Sequence, residues 1–200
     1  MEPLARRGIF IAAALLLIAL VIIGSYAMFF SGRHEDSLSF GGSFTLTDQN
    51  GHTVHARDFR GKLMLVYFGY TFCPDLCPTE LQLITSTLDQ LGPAAANIQP
   101  IFITIDPARD RPKLLKEYLA NFYPTFVGLT GTPAEIAAVA REYRVYYSKA
   151  VDAKATENCL IDHTGFVYLQ GRKGQSLGTF LPSVSASELA RSLRQALKTG

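Results

Sequence analysis

The apolar run at residues 9–30 constrains the fold of this chain more than any other feature. Of its 22 residues, only Gly24 and Ser25 fall outside the hydrophobic class. A helix of this length extends roughly 33 Å at about 1.5 Å per residue, which is enough to cross the core of a bilayer. Because lipid offers no partners to backbone polar groups, a spanning segment must pair them internally. The run therefore predicts a transmembrane helix.

The charges around this run predict its orientation. Arg6 and Arg7 precede it and no basic cluster follows at once, so the positive-inside rule places residues 1–8 in the cytoplasm and the chain after residue 30 across the membrane. The alternative is a cleaved signal peptide that ends near Ala27. In both cases the remainder faces an oxidising compartment. There is no room before Ile9 for a transit peptide, so we expect a bacterial inner-membrane protein with a periplasmic C-terminal domain.

The rest of the chain has the composition of one soluble domain. We expect a polar tether at residues 31–42 and a single domain at residues 43–200. The chain carries 19 basic and 17 acidic residues, a net charge of +2, so no basic field points to nucleic acid. Three cysteines are too few, and odd in number, for a disulfide scaffold.

Strand and helix patterns alternate along this domain. Asn50 and Gly51 favour a hairpin turn, and the near-continuous apolar runs at 62–70 and 98–105 are typical of buried central strands. Helices are predicted at 78–91, at 112–122, from Thr132 to about Tyr143 and after Ser185, and short strands at 160–161 and 166–169. This alternation predicts an α/β fold with helices packed on a sheet, without choosing among α/β topologies.

Cys73 and Cys77 are the strongest chemical signal. They follow a buried strand and precede a helix, where α/β folds place function and where the helix N-terminus favours a thiolate. Two thiolates prefer Cu(I) or Zn, and a third donor would complete a trigonal copper site. Alternatively, the pair cycles between dithiol and disulfide. The three-residue spacer departs from the Cys-x-x-Cys motif, so spacing alone leaves both functions open.

The candidate third donor is one of four histidines. His34 falls in the tether, and His52 and His55 fall in or beside the hairpin, where exposed surface positions are expected. His163 differs because it follows an apolar run and stands at a turn. It lies 86 residues after Cys77, so the linear sequence does not show whether the two side chains meet.

Four segments resemble the Sco/SenC family of copper-binding assembly factors for cytochrome c oxidase. They are 67–81 (YFGYTFCPDLCPTEL), 105–112 (IDPARDRP), 143–149 (YRVYYSK) and 161–163 (IDH). The resemblance implies a thioredoxin-like fold in which Cys73, Cys77 and His163 bind copper, as Cu(I), Cu(II) or both. It also implies that Asp106 and Asp162 belong to the surroundings of the site and not to the ligands.

The resemblance further implies a membrane-anchored copper chaperone and not an enzyme. Its expected partner is the copper-bearing subunit of cytochrome c oxidase, with other copper carriers or thiol reductants as further candidates. The alternative function is a thiol-disulfide oxidoreductase that reduces the cysteines of the oxidase copper site, and a thiol peroxidase of related fold is a third.

Cys159 is a departure from the family pattern, which usually has tyrosine there. If residues 159–163 are extended, Cys159 shares a face with His163, because side chains alternate along a strand. It would then reach the copper or compete in disulfide exchange. The simpler expectation is a small, buried free cysteine.

Overall fold

The computed structural model describes residues 16–22, 24–25, 40–149 and 161–199. Residues 16–22 and 24–25 are helical. Within the described ranges, no helix combines the length and the apolar character that a membrane span requires. The predicted span at 9–30 lies partly outside these ranges. Residues 31–39 of the predicted tether lie wholly outside them. The chain divides into two compact units, Met1–Ser39 and Phe40–Gly200.

The described residues of the second unit form nine strands and four α-helices. The strands are β1 Thr45–Asp48, β2 Thr53–His55, β3 Leu63–Gly69, β4 Ile98–Thr104, β5 Val127–Thr130, β6 Tyr147–Lys149, β7 Ile161–His163, β8 Val167–Gln170 and β9 Ser176–Phe180. The helices are α1 Leu76–Leu91, α2 Pro112–Leu119, α3 Pro133–Glu142 and α4 Ala186–Thr199, with short 3-10 helices at Ala56–Phe59 and Gly92–Asn97. The predicted α/β class is confirmed.

Seven of the strands form one mixed sheet in the order β2-β1-β5-β4-β3-β8-β9. Strands β3, β4 and β5 run parallel to one another, whereas β8 pairs antiparallel with β3. Every residue of β3 is buried, as expected of a central strand covered on both faces. Strands β6 and β7 form a separate antiparallel pair, called here the β6–β7 ribbon.

Two predicted helix starts are confirmed by their capping hydrogen bonds. The Thr132 side chain accepts a bond from the Glu135 amide, and the Glu135 carboxylate accepts one from the Thr132 amide at 2.7 Å. Ser185 and Glu188 repeat this arrangement before α4. Each pair satisfies amide groups that a helix N-terminus otherwise leaves free. Helix α4 then packs on α1.

Other boundaries differ from the sequence expectation. Helix α1 begins at Leu76, two residues before the predicted start at Pro78, so Cys77 lies in its first turn. Strands β5, β6 and β9 carry no strong apolar pattern and were not predicted. Residues 40–42, predicted as the end of the tether, pack on the domain: the Phe40 ring lies 5.1 Å from the Tyr168 ring, and the Gly41 amide donates to the Glu142 carbonyl.

Candidate metal centre

The segment after β3 and the first turn of α1 carry the two cysteines at the carboxyl end of the central strand. The Cys73 amide donates to the Tyr70 carbonyl at 3.3 Å, which closes a turn directly after the strand. Gly69 ends the strand, and a Cβ atom there would lie 2.8 Å from the Cys77 sulfur. The absence of a side chain at Gly69 therefore lets the Cys77 sulfur approach the strand closely.

The two sulfurs differ in exposure and in acidity. Cys77 is buried in the first turn of α1, whereas Cys73 is partly exposed, and both are free thiols. The Cys77 amide points at the Cys73 sulfur, 3.4 Å away. Hydrogen bonds from the Cys77 thiol and from the backbone amides of 75–77 lower the pKa of Cys73 to about 5. The interaction with Cys73, together with burial, raises the pKa of Cys77. The pair therefore consists of one thiolate and one thiol at neutral pH.

His163 reaches these sulfurs from the β6–β7 ribbon, where it is paired with Tyr147. Its Nε2 atom lies 3.6 Å from the Cys77 sulfur, and the ligand atoms of Cys73, Cys77 and His163 all lie within 4.8 Å of one another. Its Nδ1 atom lies 3.2 Å from the Thr164 carbonyl oxygen. A carbonyl oxygen only accepts, which assigns the proton to Nδ1 and leaves the Nε2 lone pair facing the sulfurs.

Tyr70 connects the two halves of this centre. Its backbone carbonyl accepts the Cys73 amide, and its hydroxyl accepts the Ile161 amide at 3.1 Å. The rings of Tyr67 and Tyr70 each lie 6.1 Å from the His163 ring in edge-on arrangements. The buried Tyr70 side chain thus holds the first residue of β7 against the cysteine segment.

The loop after β4 supports the cysteine segment through a buried carboxylate. Asp110 is fully buried and accepts hydrogen bonds from the Thr71 amide, the Thr71 hydroxyl and the Thr104 hydroxyl. Burial raises the pKa of Asp110 although these three bonds oppose the shift. Because Thr71 stands two residues before Cys73, the Asp110 carboxylate fixes the position at which the thiolate emerges.

The two acids predicted to surround the site occupy different places. Asp106 pairs with Arg109, whose guanidinium lies 4.8 Å from the centre of the Phe72 ring beside Cys73. Asp162 is exposed and alternates with its buried neighbour Ile161 along β7. Across the described residues, the ligand-capable cluster at this place consists of Cys73, Cys77 and His163.

A polar cluster beneath Cys77 was not identified from the sequence. Glu80 is only 2% exposed, and burial raises its pKa to about 7. One Glu80 carboxylate oxygen and the hydroxyls of Tyr67 and Tyr118 are buried without a hydrogen-bond partner among the described residues. The position of Glu80 one helical turn after Cys77 was the available signal, because residues three apart on a helix share a face.

The remaining candidate residues lie elsewhere or outside the described ranges. His52 and His55 are on the β1–β2 hairpin, where the His52 side chain is 76% exposed and the His55 ring contacts the Thr45 hydroxyl. His34 and Cys159 fall outside the described residues, so the proposed role of Cys159 stays a prediction.

Comparisons with known proteins agree on one family. The family described as SCO1/SenC matches residues 32–198. A SCO2-like protein of Rickettsia prowazekii is 42% identical over 156 residues, which cover 78% of this chain and 76% of that protein.

Solved structures give the same result. The structure of Bradyrhizobium japonicum ScoI with copper bound is 43% identical, with a TM-score of 0.72 over 78% of this chain and 99% of its own. Yeast Sco1 with copper bound is 37% identical, with a TM-score of 0.75 over 81% of this chain and 90% of its own.

Proposed function

Because the chain belongs to the SCO1/SenC family, we propose that it is a copper chaperone, which binds copper through Cys73, Cys77 and His163 and delivers it to the copper site of cytochrome c oxidase during assembly. The observation that carries this proposal is the convergence of two sulfurs and one imidazole nitrogen within 4.8 Å. The two cysteines come from the segment after β3 and the first turn of α1, whereas His163 comes from the β6–β7 ribbon, 86 residues further along the chain.

The chemistry of the donor set supports copper as the cargo. Two thiolates and an imidazole are soft to intermediate ligands, and a three-donor arrangement suits Cu(I). Cu(II) would require a further, weaker donor. Both sulfurs must be deprotonated in the complex. The Cys73 sulfur is already deprotonated at neutral pH, because its pKa is about 5. Copper binding therefore releases one proton, which comes from Cys77.

The uneven burial of the ligands supports delivery over storage. Cys73 and His163 are partly exposed and Cys77 is buried, so an acceptor can approach the metal from the side of Cys73. Exchange between thiolates would then transfer the ion without releasing it to solvent. We propose that the acceptor is the copper-bearing subunit of the oxidase, and that other copper carriers or thiol reductants load or reduce the chaperone.

We further propose that residues 9–30 anchor the chain in a bacterial inner membrane, with the copper-binding domain in the periplasm. The apolar run and the arginines before it support this orientation. It would place the cargo site in the compartment in which free thiols need a dedicated reductant.

The test is copper retention by the full chain, reduced and purified in mild detergent. We expect about one copper per chain in the wild type, held against a competing Cu(I) chelator. His163→Ala should lose most of this retention while Cys73 and Cys77 still form a disulfide. His52→Ala removes an exposed imidazole of the hairpin and serves as the matched control. Unchanged retention in His163→Ala would remove the third ligand and with it the proposal.

A second function, thiol-disulfide exchange with the acceptor, is favoured by the low pKa of Cys73. A partly exposed thiolate beside a second thiol suits this chemistry. The Cys73 thiolate would attack a disulfide of the partner and form a mixed disulfide. The partner's first sulfur leaves as a thiolate in that attack and can take the proton of the Cys77 thiol. The resulting Cys77 thiolate would then attack the Cys73 sulfur and displace the partner's second thiolate, so that two electrons pass to the partner and Cys73 and Cys77 become a disulfide. His163 is dispensable for this reaction, so reduction of the acceptor by His163→Ala at the wild-type rate distinguishes the two functions.

A further inference from the structure

Basic residues concentrate at the end of the sheet opposite the cysteines. Two loops, residues 57–62 and 171–174, are joined by a hydrogen bond from the Gly61 amide to the Arg172 carbonyl at 2.9 Å. They hold five of the 16 lysines and arginines found at positions 40–200, namely Arg57, Arg60, Lys62, Arg172 and Lys173. Asp58 is the one acid on these loops, 4.0 Å from Arg57. The two loops are called here the basic end.

A cavity of about 510 Å³ opens at the basic end. Arg57, Arg60, Lys173 and His55 line it, and no Asp or Glu of the described residues does. The buried side chains of Phe44 and Met64 contribute apolar surface to the same lining. A cavity that combines several cations with apolar walls suits an anion that is attached to an apolar body.

The chain enters the domain beside this cavity. Residues 42–45 form part of its lining, and the compact unit begins at Phe40. The predicted membrane span ends at residue 30, so nine residues separate it from Phe40. Nine residues extend at most about 30 Å. A predicted tether of this length holds Phe40, the first residue of the domain, within about 30 Å of the lipid surface.

The cavity and the metal centre lie at opposite ends of β3. Met64, near the start of the strand, lines the cavity, and Gly69, at its end, contacts the Cys77 sulfur. The five residue steps from Met64 to Gly69 place the two sites about 17 Å apart. Contact of the basic end with a membrane would therefore direct the metal centre away from it.

We propose that the cavity at the basic end binds the phosphate of an anionic phospholipid headgroup and so orients the domain on the membrane. The cations supply the attraction to the phosphate, and the apolar lining accepts the adjoining glycerol and acyl region. This inference depends on the predicted span at 9–30 and not on the identity of the cargo, so it stands or falls separately from the proposed function.

The experiment uses the full chain in nanodiscs of phosphatidylcholine alone or mixed with equal phosphatidylglycerol. We expect slower amide hydrogen exchange at 57–62 and 171–174 in the anionic nanodiscs only. High salt should abolish this protection, because it screens exposed charges. The double variant Arg60→Glu and Lys173→Glu should lose the protection but retain copper as the wild type does, which shows that it folds. Arg191→Glu with Lys198→Glu, the same charge change on exposed positions of α4, should keep it.

Two results would overturn the proposal. Equal exchange in both kinds of nanodisc would show that the cavity does not bind anionic lipid. Equal protection by inorganic phosphate added to neutral nanodiscs would identify a site for a soluble phosphate instead of a headgroup.

Discussion

Cys73 and Cys77 are chemically identical side chains four residues apart, and the fold makes them different. Cys73 stands at the opening of the segment after β3, where the backbone amides of the first turn of α1 point at its sulfur. Cys77 lies below it in the apolar interior. Hydrogen bonding favours the charged thiolate of Cys73. Burial and the interaction with Cys73 disfavour the charged form of Cys77.

This difference predicts selective alkylation in the copper-free, reduced protein. Between pH 6 and 7, iodoacetamide should modify Cys73 and leave Cys77 unmodified, with the rate at Cys73 falling only as the pH approaches about 5. Peptide mass spectrometry over a pH series measures both rates. Cys77→Ala removes the hydrogen-bond donor that contributes most to the low pKa of Cys73, so the pH profile of Cys73 alkylation should shift to higher pH. A single transition near pH 8.5, the ordinary thiol value, would contradict the assignment.

The raised pKa of the buried Glu80 carboxyl predicts that the stability of the fold depends on pH. Burial raises its pKa from 4.5 to about 7, so the folded state favours the protonated carboxyl. Its contribution to stability is fully present below about pH 4.5 and disappears as the pH rises through about 7. The loss of stability amounts to roughly 3 kcal/mol.

Urea denaturation of Glu80→Gln at pH 5 and pH 8 tests this expectation. The free energy of unfolding of the variant, minus that of the wild type, should be larger at pH 8 than at pH 5. Glutamine carries no charge to bury, so the variant does not lose stability as the pH rises through about 7. Glu117→Gln, at a position with an exposed side chain on α2, should show no such difference. Parallel pH dependence in the wild type and in Glu80→Gln would show that Glu80 is not the titrating group.

At the scale of elements, the proposed metal centre depends on how the β6–β7 ribbon is attached to the rest of the domain. This ribbon is not part of the seven-stranded sheet, yet it carries His163. The hydrogen bond between the Tyr70 hydroxyl and the Ile161 amide joins it to the cysteine segment across 91 residues of sequence. The position of the imidazole therefore depends on a contact outside the ribbon itself.

Tyr70→Phe should loosen the ribbon and weaken copper retention without removing a ligand. The variant leaves the buried Ile161 amide without its acceptor, at a cost of about 1–3 kcal/mol. We expect faster hydrogen exchange at 161–163 and several-fold weaker retention, with alkylation of Cys73 unchanged. Tyr143→Phe is the control, because that buried hydroxyl has no partner among the described residues. Equal retention in both variants would contradict the role of the Tyr70 hydroxyl.

The elements also show what sequence reasoning can and cannot reach. Strands β3 and β4 were predictable because both faces are covered and their runs are almost wholly apolar. The starts of α3 and α4 were predictable from local capping residues. Strand β5 is four residues long and includes Gly128, which packs against Leu119 where a Cβ would clash. Such a strand is defined by its neighbours and leaves little pattern in the sequence.

The residues of the candidate site also divide into those that the sequence could predict and those that it could not. The place of the cysteines after a buried strand followed from local pattern. The approach of His163 was implied by family resemblance and not by spacing, because it requires the chain to return after 86 residues. The roles of Tyr70 and Glu80 depend on contacts that only the folded chain creates.

At the scale of the whole molecule, copper would connect the segment after β3, the first turn of α1 and the β6–β7 ribbon. A ligand that binds only the folded state raises the free energy of unfolding by mass action. The increase is about 2.7 kcal/mol when the free ligand concentration is a hundred times the dissociation constant. The interaction with Cys73 and burial keep Cys77 protonated, so copper must displace a proton. Stabilisation should therefore decrease as the pH falls.

Thermal unfolding with and without Cu(I), at pH 7 and pH 5, measures this coupling. We expect a larger rise in melting temperature at pH 7 in the wild type and a much smaller rise in His163→Ala at either pH. A rise of equal size at both pH values would contradict proton displacement as part of binding.

The unequal depth of the two sulfurs has a consequence for the order of transfer. The outer sulfur is also the weaker base, and a weaker base is released more readily from a metal ion. An incoming ligand would therefore displace Cys73 first, while the deeper sulfur and the imidazole keep hold of the ion until the new bond has formed. Departure would follow a fixed sequence of steps, beginning at the surface and ending in the interior.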